Sequence, residues 1–163
     1  MNALLLLLLF PITVFTGEAP DGVQPCNDTP ALNASIVAFV ESKMKKRVGR
    51  GECWDLAAEA LDLVDARWDH RYRYGREIDP ETDCVYPGDM IQFKNVKLSY
   101  KKKGGVYTET MRHHTAVVYE VLGPGQYRIA HQNTGFSGRK VGVSTFNLND
   151  MVRGKIWVYR PEK

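Results

Sequence analysis

The sequence predicts an α+β domain in which N-terminal helices pack on an antiparallel sheet of about five strands. Three observations predict it. Apolar residues recur at helical spacing in two stretches before residue 70. After residue 85 the period shortens, and β-branched and aromatic residues gather into short runs. Two of those runs flank Gly123, Pro124 and Gly125, a tight-turn sequence that makes them a hairpin.

Ahead of the domain, residues 4–10 are almost pure leucine, extended by Ile12, Val14 and Phe15. The run is too short to span a bilayer and begins at the initiator Met, and Gly17, Glu18 and Ala19 fit a small-x-small cleavage pattern. Residues 1–19 are therefore expected to be a signal peptide, with an uncleaved anchor as the alternative because no Lys or Arg precedes the run. No later stretch is long and apolar enough for a membrane helix. The expectation is a secreted or periplasmic domain without stable membrane insertion after cleavage, spanning residues 20–163 as one unit.

Charged residues make up 25% and hydrophobic ones 44%, ordinary values for a globular protein. The net charge of +3 is smaller than a dedicated nucleic-acid binder carries, so no nucleic-acid partner is expected. The odd count of three cysteines leaves one thiol over in an oxidising compartment. If Cys53 is the working thiol, Cys26 and Cys84 are left to pair.

Residues 19–30, with three prolines, read as an irregular lead-in. Leu32, Ile36, Phe39, Val40 and Met44 place an amphipathic helix over residues 31 to about 46, ended by Gly49. A second helix starts near Cys53 and turns Ala57, Ala60 and Val64 to the core, with Leu56, Leu61 and Trp68 widening that surface. The polar stretch 69–83 reads as a loop, a solvated surface with buried aliphatic stems or the wall of a groove. Strands are expected from residue 90, over 114–121, 127–133, 140–146 and 156–160, with a helical turn near 146–151. Segment 94–112 joins two strands and carries Lys101, Lys102 and Lys103. It reads as a hairpin with a solvated tip, or as a basic flap for an anionic polymer. Asn33, Ala34 and Ser35 form a glycosylation sequon, relevant only in a eukaryotic secretory pathway.

Cys53 follows Gly49, Arg50, Gly51 and Glu52, a glycine-containing turn running into a helix-forming stretch. A thiol at a helix N-terminus meets unpaired N–H groups and the positive end of the helix dipole, and both favour thiolate. The plainer alternative is a small buried core residue. A nucleophilic Cys needs a base within hydrogen-bond reach and a third group to orient it. Of His70, His113, His114 and His131, alternation about the hairpin sets His114 roughly opposite 131–133. His114 then shares one ring nitrogen with His131 or Asn133 and keeps the other for Cys53, while His113 points the other way. A Cys-plus-two-His zinc site is a further option, but the chain has neither paired cysteines nor a His-x-x-x-His spacing.

These residues carry a family resemblance. Gly51 to Trp54, Tyr86 to Phe93, His114 to Val118 and Ile129 to Asn133 resemble, in that order, the motifs of papain-like CHAP and NlpC/P60 hydrolases. The resemblance covers residues 48–159 and implies Cys53 as nucleophile and His114 as base. His131, or Asn133 by the CHAP pattern, stands at the third position. It also implies a cysteine peptidase or amidase that needs no cofactor and acts on a peptide or peptidoglycan-like substrate. Cys53 to Ala57, Pro87 to Phe93, His113 to Tyr119 and Gln132-Asn133 are similar in closer wording to the cysteine-proteinase-fold domain of fungal actin-patch proteins that bind myosin. Those proteins are intracellular and hydrolysis is not their established role, so this second resemblance implies a non-catalytic interaction domain on the same fold.

Overall fold

Both helices precede the sheet in the chain, as the change of period requires. The computed structural model describes residue 26 and residues 28–163, and the expected signal at 1–19 lies outside them. The order is α1 (Ala31–Ser42), α2 (Cys53–Leu63), β1 (Arg76–Ile78), β2 (Met90–Lys102), β3 (Gly105–Gly123), β4 (Gln126–His131), β5 (Gly142–Asn147), a 3-10 turn (Leu148–Asp150) and β6 (Met151–Arg160). The six strands form one antiparallel sheet in the order β1-β6-β2-β3-β4-β5.

The expected count was about five, and β1 is the addition, inside the stretch read as a loop. Three residues, of which only Ile78 is buried, are too few to show an alternation. The pairing of Arg76 with Arg160 and Ile78 with Val158 makes them a strand. α1 stops four residues earlier than its apolar spacing implies, because Met44 bridges Val141 and the backbone of Lys45 and Lys46 bonds Val141 on both sides. Segment 94–112 lies in a long β2–β3 hairpin with Lys101, Lys102 and Lys103 exposed at its tip.

The sheet buries both faces. α1 and α2 cover one with Ile36, Val40, Leu56 and Leu61, each worth about 1.5–3 kcal/mol on full burial, against Met90, Val117 and Tyr159. Among the described residues no α-helix covers the other face. The sheet curls over it, so that Phe93 of β2 meets Phe146 of β5 edge-on at 5.1 Å although two strands separate them in the sheet.

A buried ion pair locks the C-terminal strand to this core. Asp89 is fully buried and holds Arg160 through two oxygens at 2.8 and 3.2 Å, while Asn33 Nδ2 and the Tyr86 N–H donate to the same carboxylate at 2.8 Å each. Gly88 permits the approach: at φ 88° a Cβ there would lie 2.5 Å from the Asn33 carbonyl oxygen. Asn33 itself is 0% exposed, so the sequon is a packing site with no room for a glycan. Cys26 and Cys84 form a disulfide, which ties the lead-in to the loop before β2. Among the described residues no helix is long and apolar enough to cross a membrane.

Candidate functional site

The turn before α2 is built to place Cys53. Glu52 is the N-cap, and the Asp55 carboxylate reaches back to the backbone N–H groups of Glu52 and Arg50 at 3.2 and 2.7 Å, with Arg50 Nη2 at 2.8 Å on its other oxygen. Gln132, fully buried, clasps the same turn. Its amide nitrogen donates to the carbonyls of Val48 and Glu52, and its oxygen accepts from the Val48 N–H. The segment carrying Cys53 is thereby fixed to the end of β4, which carries His131.

His114 and His131 lie on adjacent strands, where Val117 opposes Ala130. His114 Nε2 and His131 Nδ1 are 2.8 Å apart, and His131 Nε2 is 3.0 Å from Ser144 Oγ on β5. This chain of three leaves Nδ1 as the remaining nitrogen of His114. Cys53, His114, His131, Asn133 and Ser144 all line one cleft of about 560 Å3. Asn133 is there but faces elsewhere: it sits at φ 60°, is exposed, and donates to Glu52 Oε2 at 2.7 Å. His131, not Asn133, is therefore the group that bonds His114. His113 is exposed, its ring edge-on to Tyr72 at 4.3 Å. His70 packs on Trp68 with tilted rings, centroids 4.4 Å apart, and lines a neighbouring hollow with Cys53 and His113.

A sequence profile of the family described as the AIM3/BBC1 cysteine proteinase-fold domain matches residues 31–163. The chain belongs to that family. A relative from Debaryomyces hansenii, "Altered inheritance of mitochondria protein 3", is 31% identical over 144 residues, covering 77% of this chain. The chain spans 15% of that relative's length. A solved structure described as the crystal structure of Ly7917 aligns over 78% of this chain and 62% of its own, at 12% identity and a TM-score of 0.47.

Electrostatics set this AIM3/BBC1-type domain apart from the activated thiol that the helix N-terminus implied. Burial pushes the Cys53 thiol up, against backbone N–H groups of Thr115, Trp54 and Cys53 that pull it down. The helix start does aim donors at the sulfur, as expected, but loss of water around it outweighs them. Burial likewise lowers His114 to about 4, with His113 adding to the effect, and lowers His131 to about 3, with His114 adding. Burial thus favours the uncharged forms of the thiol and of both imidazoles that line this cleft. Sequence reasoning missed Gln132 and Ser144 as members of this assembly. Gln132 stood in a quoted motif, yet its partners lie 80 and 84 residues away.

Proposed function

We propose that this chain is a protein-binding domain on a cysteine-proteinase fold, in which Cys53, His114 and His131 form a neutral polar wall of the cleft. One observation carries the reading: a half-buried thiol and a buried imidazole pair whose surroundings favour the uncharged forms of all three. A cysteine nucleophile works as thiolate, and its acceptor histidine must take a proton. Desolvation opposes both halves of that ion pair. The resemblance of the motifs to fungal actin-patch proteins that bind myosin supports the same reading, on the cysteine-proteinase fold that the family match gives.

The hydrogen-bonded chain from His114 through His131 to Ser144 favours a second reading, a cysteine hydrolase. In it Cys53 attacks an amide carbonyl, His114 Nδ1 takes the thiol proton and passes it to the leaving amine, and water then cleaves the thioester, releasing the acid and restoring the thiol. His131 fixes the tautomer, and the Cys53 N–H faces the oxyanion. Its substrate would be a peptide, or an amide in peptidoglycan. Under either reading we propose export, which the Cys26–Cys84 disulfide supports. Incubation with mixed peptides and with peptidoglycan separates the two. The binding reading expects identical product patterns from the wild type and Cys53→Ser, whereas fragments released only by the wild type make the chain a hydrolase.

A further inference from the structure

β3 is longer than its partner on one side. β4 pairs with it from Val117 to Gly123 only. β4 ends at His131, and the chain turns away at Asn133, φ 60°. β2 pairs with the other side of β3 all the way to Gly105. The N-terminal half of β3 therefore shows an open edge, and the cleft lined by residues 109–114 lies where β4 would have continued.

The register says which backbone groups face that opening. The N–H and carbonyl of Val118 both bond to the Gly88–Asp89 turn leading into β2, and in an antiparallel strand successive residues alternate sides. The β2–β3 register runs from Met90↔Val117 to Lys102↔Gly105 without a shift. Odd-numbered residues thus turn outward. Thr115 fits this parity, since its backbone is among the groups that lower the Cys53 thiol. Beyond it the main-chain groups of His113, Met111 and Glu109 face the cleft.

Charge gives this edge a preference. Arg112 lines the cleft, and two further hollows continue from it through Cys53, His113 and Tyr72 past Arg71, Arg73 and Lys94. Among the described residues no ion pair engages those four cations. Of the neighbouring carboxylates, Glu52 meets a cation, Arg139, and also accepts from Asn133. Asp69 accepts two backbone N–H groups on one oxygen and Glu109 the Tyr100 hydroxyl, which leaves the charge of those two in place. Glu77, at the far end, carries no such partner. Phe136, 59% exposed and against the His131 ring at 5.4 Å, adds an apolar wall.

We propose that this groove takes an acidic, extended segment of a partner protein, which adds as a strand to the open edge of β3 beside Cys53. Main-chain bonds to His113, Met111 and Glu109 supply the pairing, and the four free cations select carboxylates. Six residues, 109–114, give a track about 20 Å long. This rests on the binding-domain reading and names its ligand class.

The test uses the purified chain and an eight-residue peptide alternating glutamate with valine, blocked at both ends. A lysine–valine counterpart and a glutamate–valine peptide N-methylated at alternate amides serve as comparators. The expected result is binding at least about tenfold tighter than either comparator, weakened by salt, with slowed amide exchange at His113 and Met111. Arg71→Glu with Arg73→Glu lowers affinity for the acidic peptide by about tenfold and raises it for the basic one. Equal binding of the three peptides, no binding, or protection confined to other strands overturns the proposal. Cleavage of the bound peptide would instead sink the non-catalytic reading and leave the groove standing. No binding by a chain whose thiol stays inert would do the reverse.

Discussion

Two of the domain's buried polar clusters handle charge in opposite ways. Around Asp89 a carboxylate and a guanidinium meet directly as an ion pair, and Asn33 and the Tyr86 N–H donate to the same carboxylate. Around His114, among the described residues, no ion pair forms, and two imidazoles and a hydroxyl share hydrogen bonds in surroundings that favour the uncharged rings. The first arrangement anchors the fold. The second leaves polar atoms at the wall of an open cleft without committing them to ionic chemistry. On the proposed reading, the solvation of the Cys decides whether it and the His form an ion-pair nucleophile.

Breaking the charged cluster should have the largest effect. Asp89→Ala strands the Arg160 guanidinium, 15% exposed, without its partner. Urea titration should show a loss of about 3–5 kcal/mol. His114→Ala, which removes a neutral hydrogen bond and its ring, should cost less, about 1–3 kcal/mol. Equal losses would erase the distinction between the clusters.

The disulfide belongs to the charged cluster, since Arg160 also donates to the Cys84 carbonyl. Cys26→Ser opens a link across 58 residues of sequence. It should lower stability by about 2–4 kcal/mol in the same titration. The pH profile of Cys53 alkylation should not move, because the neutral cluster is untouched.

Acid sharpens the comparison from the other side. His114 is lowered to about 4 and His131 to about 3, so in the fold both stay neutral well below the ordinary histidine range. The unfolded chain takes up those protons near pH 6.5, and so binds more protons than the native state between about pH 6.5 and 4. Their contribution to stability is complete above that window and is lost as pH falls through it, by at most about 1.4 kcal/mol per unit for each histidine. Denaturant midpoints between pH 7 and 4.5 should fall more steeply in the wild type than in a His114→Ala, His131→Ala double variant. Parallel slopes would mean that the imidazoles are not held neutral.

Much of this was legible in the sequence. The order of helices and strands followed from the change of period near residue 85, and alternation about the Gly123–Gly125 turn brought His114 to the end of β4, with His131 and Asn133 both open as its partner. The protonation states were not legible, because a helix N-terminus is a local feature while burial is set by everything that packs around the sulfur. Neither was the end of α1, where pairing with Val141, nearly a hundred residues on, overrides a good helical pattern. The Pro87-Gly88-Asp89 motif was recognised, but its work — tying Arg160 and Asn33 to one carboxylate — appears only once three distant segments meet.

The rate of Cys53 alkylation as a function of pH, in the wild type and in His114→Ala, tests the neutral-site account most directly. The account predicts slow labelling with a midpoint above that of an ordinary cysteine, because burial holds the proton on sulfur, and a midpoint that does not shift when the imidazole is removed. Labelling already fast near pH 6, and slowed by His114→Ala, would contradict it and make the pair a working nucleophile and base.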